Sequence, residues 1–126
     1  MHSKEIENIL KLNPFERYQY FIRKIADREI AYTLIFPNGD YTISTIDDKK
    51  IFPIWSAKEF AELGKVEGWE NCNIIKLTFD DFEETLFDYI DENNLLLNVF
   101  PTDKTGFVVS LEEFTRDLKD ELEQYQ

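Results

Sequence analysis

One histidine, His2, and one cysteine, Cys72, are all that this chain of 126 residues holds of the side chains most used to bind zinc or to act as base and nucleophile. With His2 at a chain end and no second thiol, neither a catalytic triad nor a structural zinc site can be assembled from them. A lone cysteine forms no internal disulfide, as is usual in reducing compartments. Within Trp69-Glu70-Asn71-Cys72 it reads first as a small apolar filler and second as a nucleophile. Glycine is equally scarce: Gly39, Gly64, Gly68 and Gly106 are scattered, and no Gly-rich loop is present to cradle phosphate. Catalytic, metal and cofactor sites are therefore not expected.

Positive charge is also in short supply. Fourteen Lys and Arg against twenty-six acids give a formal charge of -12, which repels nucleic-acid phosphate and anionic lipid headgroups at long range. Neither nucleic acid nor membrane is an expected partner. Charge of this sign serves solubility first and attraction of a basic protein second. No apolar run approaches the roughly 20 residues of a membrane span, and the charged stretch at Met1 to Glu7 has no signal-peptide core. A cytoplasmic location is the expectation.

What the chain has in abundance is aromatic surface: 15% of residues, with eleven Phe, six Tyr and two Trp. A chain of this length buries about two thirds of the surface it exposes when unfolded, so one core is expected. It serves a single domain over residues 1–126, with 1–12 a loosely docked helix carried by Ile6, Ile9 and Leu10.

One device recurs. A short apolar strand runs into a hydroxyl residue, an acid follows three positions later, and a phenylalanine comes next: Ser56/Glu59/Phe60, Thr78/Asp81/Phe82 and Ser110/Glu113/Phe114. Such spacing lets the hydroxyl accept from one amide while the acid reaches back to another, a capping box that starts a helix and drops the phenylalanine onto the core. Asn13-Pro14 begins a further helix to about Arg28, striped by Phe15, Tyr18, Phe21, Ile22 and Ile25. Arg17, Arg23, Lys24 and Arg28 make it the one basic stretch. From Ile30 the residues turn β-branched and aromatic, and Pro37-Asn38-Gly39-Asp40 between Ile30–Phe36 and Tyr41–Ile46 predicts a hairpin. Pro53, lacking an amide, puts the strand Ile51–Trp55 at an edge or leaves it paired on one side there.

The helix from Ser56 should end at Gly64 or Gly68. Ile74–Leu77 follows as a strand, then a helix from Asp80 to Asn93 striped by Phe82, Leu86, Tyr89 and Ile90. Leu95–Phe100 reads as a strand buried on both faces, and Phe107–Ser110 leads into a last helix with Leu111, Phe114, Leu118, Leu122 and Tyr125 on one side. This order predicts an α+β domain: a single mixed β-sheet of about six strands, a β-hairpin near the N-terminal side and about four packed helices.

Two constellations could carry function. Between Lys76 and Lys104 every charge is negative, with Asp80, Asp81, Glu83, Glu84, Asp88, Asp91, Glu92 and Asp103. The plainest reading is a solvated helix face, eased by the helix dipole in its first turn. The functional alternative is a surface for a basic protein partner, with Asp80, Asp81, Glu84, Asp88 and Asp91 as its residues. The acids do not follow the alternation of a Ca²⁺ loop. Separately, Phe52-Pro53-Ile54-Trp55 and Val99-Phe100-Pro101 set prolines beside large rings, so that Trp55, Trp69 and Phe100 could line a shallow pocket, with core packing as the rival role.

Arg17-Tyr18-x-Tyr20-Phe21-Ile22-x-Lys24-Ile25-Ala26-Asp27, Phe52-Pro53-Ile54-Trp55 with Phe60-Ala61, Val99-Phe100-Pro101-Thr102, and Val108-Val109-Ser110 with Leu118 together resemble the bacterial DUF2750 family, a domain of unknown function. The likeness runs from Asn13 to about Glu121. More distantly, the strand, cap and helix segments resemble the SseB-like domain. One departure is that Ala26 to Ile30 lacks the tryptophan the family carries soon after its first helix. The resemblance implies a small α+β domain and brings no reaction with it. The functional expectation is thus a non-enzymatic protein-binding module with an acidic surface, for instance immunity-type or regulatory. A small-ligand or peptide-binding domain is the alternative, and an enzyme working through carboxylates such as Asp80 and Glu84 the last choice.

Overall fold

The computed structural model describes residues 2–102 and 106–124; Asp103 of the acidic stretch and Tyr125 of the last stripe lie outside them. The described residues form five helices and six strands, so the α+β class holds. Helix starts follow local chemistry. The first helix, α1 (Ser3–Leu10), is capped by His2, whose Nδ1 accepts from the Lys4 amide at 3.2 Å. At α2 (Pro14–Arg28), Asn13 accepts from the Glu16 amide at 2.8 Å while Glu16 accepts from the Asn13 amide at 3.1 Å. The same reciprocal pair joins Thr78 with Asp81 and Ser110 with Glu113, at the heads of α4 (residues 79–92) and α5 (Leu111–Glu123).

The box expected at Ser56 does not form. Trp55 is held by two backbone bonds to Tyr32, of 2.8 and 2.9 Å, which draws Ser56 into the junction, buried and with its hydroxyl unpartnered among the described residues. Helix α3 (Lys58–Leu63) therefore starts later, from Ala57, without a side-chain cap.

The two acids of the boxes predict an acid limb of stability. Bonds from the Thr78 and Ser110 amides, then from their hydroxyls, hold the Asp81 and Glu113 carboxyls below their ordinary 3.8 and 4.5. A lowered folded value means stabilisation that is present above the ordinary value and lost as pH falls through the folded one. The denaturation midpoint should fall below pH 4.5, and less steeply in an Asp81→Asn, Glu113→Gln double variant. Identical slopes would show that neither carboxyl is held in the folded state.

The strands form two sheets, not the single sheet expected. Strand β1 (Ile30–Ile35) pairs antiparallel with β4 (Asn73–Thr78), and β2 (Ser44–Ile46), β3 (Lys49–Ile54), β5 (Leu96–Val99) and β6 (Phe107–Val109) form a mixed four-stranded sheet in the order β2-β3-β5-β6. Only β3 and β5 are parallel. The split has a cause at Pro53. Strands β1 and β3 meet at the Tyr32 and Trp55 bridge, but two residues back proline offers no amide, and the Thr33 hydroxyl donates to the Pro53 carbonyl at 2.6 Å instead. A ladder between the sheets cannot continue past it. The hairpin is likewise only begun. Its turn closes, with Asn38 Oδ1 accepting from the Asp40 amide at 2.9 Å and Gly39 at φ 96°, yet the return segment keeps one bridge, Ile35 to Tyr41, before leaving to pair with β3.

Register assigns the faces of the four-stranded sheet. Phe52, Ile54, Leu97, Val99 and Val109 point inward, all buried, and α2 and α5 pack on that side. Tyr18 of α2 donates to Asp117 of α5 at 2.6 Å, and burial, then Asp117, pushes the Tyr18 phenol far above its ordinary range. Helix α4 joins the core through a π-helical turn at Phe82–Leu86, flanked by Phe79–Asp81 and Phe87–Glu92, in which the Phe87 amide donates to the Phe82 carbonyl. The wider turn keeps Phe82, Leu86 and Ile90, spaced by four, all buried.

Candidate functional site

The same register puts Ser44, Ile46, Ile51, Asn98 and Val108 on the outward face, with Trp55 continuing that row beyond β3. These six form the floor of a cleft of about 510 Å³, walled by Gly64, Val66, Glu67 and Trp69 from the segment between α3 and β4 and by Pro101, Thr102 and Gly106 from the segment between β5 and β6. Two glycines allow its close construction. A Cβ on Gly64 would lie 2.5 Å from Trp55 Cζ2, and one on Gly106 would collide with Asn98 Oδ1. Gly64 caps α3 with φ -82°, so it is required for space and not for a left-handed turn. Beneath Gly106, Asn98 Oδ1 is buried with no hydrogen-bond partner among the described residues.

The structure brings Trp55 and Trp69 together and leaves Phe100 apart. Trp55 is floor: it is 1% exposed, and its Nε1 donates to the Pro101 carbonyl at 2.9 Å, tying the floor to the far wall. Trp69 is half-buried in the wall that follows α3. Phe100 lies behind Pro101, its ring 4.4 Å from Phe60 and 6.3 Å from Tyr20, with the Arg17 guanidinium 6.0 Å from its centre. It lines a separate cavity of about 300 Å³ with Leu10, Phe60, Leu63, Pro101 and Thr102. Its backbone is left-handed at φ 54°, a conformation that a bulky residue keeps only when its surroundings over-determine it; here its amide donates to the Ile54 carbonyl at 2.8 Å.

Sequence reasoning missed Ile46, Val66, Glu67, Asn98 and Val108. A signal for one was present: asparagine within Leu95–Phe100 contradicts a strand buried on both faces, and Leu96–Val99 in fact alternates between half-buried and buried.

The acidic residues divide by role. Asp80, Glu84, Asp88 and Asp91 are exposed and in no ion pair among the described residues, whereas half-buried Asp81 is engaged by the amide and hydroxyl of Thr78. Cys72 is buried, and burial raises its thiol pKa, which keeps it protonated near neutrality. Among the described residues no three His, Cys, Asp or Glu side chains converge as metal ligands, and no helix is long and apolar enough to cross a membrane.

No curated protein matches the chain. A family model described as protein of unknown function, DUF2750, matches residues 18–118, from within α2 to within α5, a span that contains every residue of the cleft. The chain belongs to the DUF2750 family.

Proposed function

We propose that this protein is a non-catalytic binding domain and that the cleft between Trp55 and Trp69 receives a small ligand. One observation carries the reading. Of the six exposed large hydrophobic residues among those described, three, Ile46, Val66 and Val108, line this one cleft. Single exposed apolar residues are ordinary on a protein surface, but their convergence on a concavity marks binding. The volume, about 510 Å³, falls within the roughly 300 to 1,000 Å³ typical of small-molecule sites. Among the described lining residues Glu67 is the one ionisable side chain and has no base or second acid beside it, which favours binding over catalysis.

Trp69 is the natural reporter. A metabolite library titrated against the protein should contain compounds that change tryptophan fluorescence saturably. The change should be lost in Val108→Asp, which charges the exposed floor without touching the core. A folded protein that shows neither a saturable change nor a thermal shift across such a library would remove the reading.

A second reading rests on α4. Asp80, Glu84, Asp88 and Asp91 form an anionic face, in no ion pair among the described residues, suited to a basic protein, as in an immunity-type or regulatory partner. Steered association should slow as salt rises, and Asp88→Lys with Asp91→Lys should slow it further. A partner whose association rate ignores both would count against this face.

A further inference from the structure

We infer that the ligand of the cleft is a small organic ammonium compound, an amine carried on an apolar body; this rests on the cleft reading above. The cleft offers the body its place in Ile46, Ile51, Val66 and Val108. For the charged end the choice of sign is decided by the walls. Among the described lining residues there is no Lys, Arg or His, and the one charge is the Glu67 carboxylate. That carboxylate offers a cation a counter-charge and repels an anion.

Glu67 is placed for a ligand and not for the fold. Its side chain is exposed and makes no hydrogen bond or ion pair among the described residues. Its backbone is nonetheless left-handed at φ 48°, followed by Gly68 at φ 103°, and the Gly68 amide is pinned by donating to Glu70 Oε1 at 2.7 Å. A left-handed two-residue turn thus carries the exposed Glu67 side chain in the cleft lining, which also includes Trp69. Indole is the ring that attracts cations best, so Trp69 and Glu67 would act on the same ammonium group. The formal charge of -12 adds a field of the same preference.

The occupant is a free small molecule and not a basic segment of a protein. An extended peptide needs a continuous groove, whereas Pro101 and Thr102 stand between this cleft and the neighbouring cavity, both of which they line.

Three probes of one shape, benzylamine, benzyl alcohol and benzoate, titrated into the full chain and followed by the Trp69 indole and backbone amide resonances, test the inference. Benzylamine should bind saturably at the cleft, benzyl alcohol about fivefold more weakly, and benzoate not measurably, as befits one partly exposed ion pair. Glu67→Gln should bring benzylamine down to the level of the alcohol. Equal binding of amine and alcohol, indifference to Glu67→Gln, or amine shifts confined to α4 would overturn the ammonium assignment. The cleft reading would survive the first two of these results. It would fall with the assignment if no probe moved the cleft resonances and the library of the preceding section also failed.

Discussion

Phe114→Ala is expected to lower stability by about 3 to 5 kcal/mol, the range for deleting a fully buried phenylalanine. The side chain is 1% exposed and stands where three elements meet. Its ring centre lies 6.1 Å from Phe21 of α2 and 6.2 and 6.3 Å from Phe82 and Phe87 of α4. Truncation leaves a cavity bordered by these rings, which are themselves anchored on two other helices, α2 and α4, and cannot all collapse into it. The loss has two parts, the transfer of the ring from water and the cavity that remains, and the second sets where in the range the value falls. Chemical denaturation measures it, and an unchanged dependence on denaturant would locate the effect in stability. A loss below about 1 kcal/mol, the level of an ordinary surface-adjacent change, would show that α5 does not dock as described.

Trp55→Ala is expected to match that cost, about 3 to 5 kcal/mol, and to abolish ligand binding as well. This indole joins three parts of the molecule. Its backbone bridges the two sheets at Tyr32, its Nε1 holds the Pro101 carbonyl at 2.9 Å, and its ring edge occupies the place a Cβ on Gly64 would take. Trp55→Phe separates these roles. It keeps most of the apolar volume but removes the donor to Pro101, at about 1 kcal/mol, and frees the Pro101 wall of the cleft. Gly64→Ala provides an internal check by double-mutant cycle. In the native background the added methyl meets the indole at 2.5 Å, and in the Trp55→Ala background its nearest neighbour becomes the Ala61 carbonyl oxygen at 3.2 Å. The penalty of Gly64→Ala should therefore shrink when Trp55 is absent. Equal penalties in the two backgrounds would place the indole elsewhere.

Much of the local structure was legible in the residues themselves. The boxes at Thr78 and Ser110 and the Asn13-Pro14 start needed only the identity of residues three apart. The buried stripe of α4 needed only its spacing of four. Ser56 carried the same signal as Ser110 and failed, because its neighbour Trp55 is committed to a bridge with Tyr32, which no window around Ser56 contains. The site shows the same division. Trp55 and Trp69 were readable as candidates since large rings near strand ends and prolines attract suspicion. Phe100 carried an equal signal, yet the left-handed turn at its own backbone sends it behind Pro101 into another cavity. Asp81 could not be told from Asp80 as a surface acid by charge alone, although its place three residues after Thr78 already marked it for the cap.

The sequence by itself determined the α+β class, the starts of α2, α4 and α5, and the burial of Phe60, Phe82 and Phe114, though not of Phe15, whose place on the α2 stripe leaves it exposed; each depends on residues within a turn or two of one another. Which strands pair, and that they make two sheets with an open cleft on one outward face, was decided only in the tertiary structure. The physical reason is that a missing amide at Pro53, a hydroxyl at Thr33 and an indole at Trp55 act on partners twenty or more residues away, and their consequence exists only once those partners are brought together.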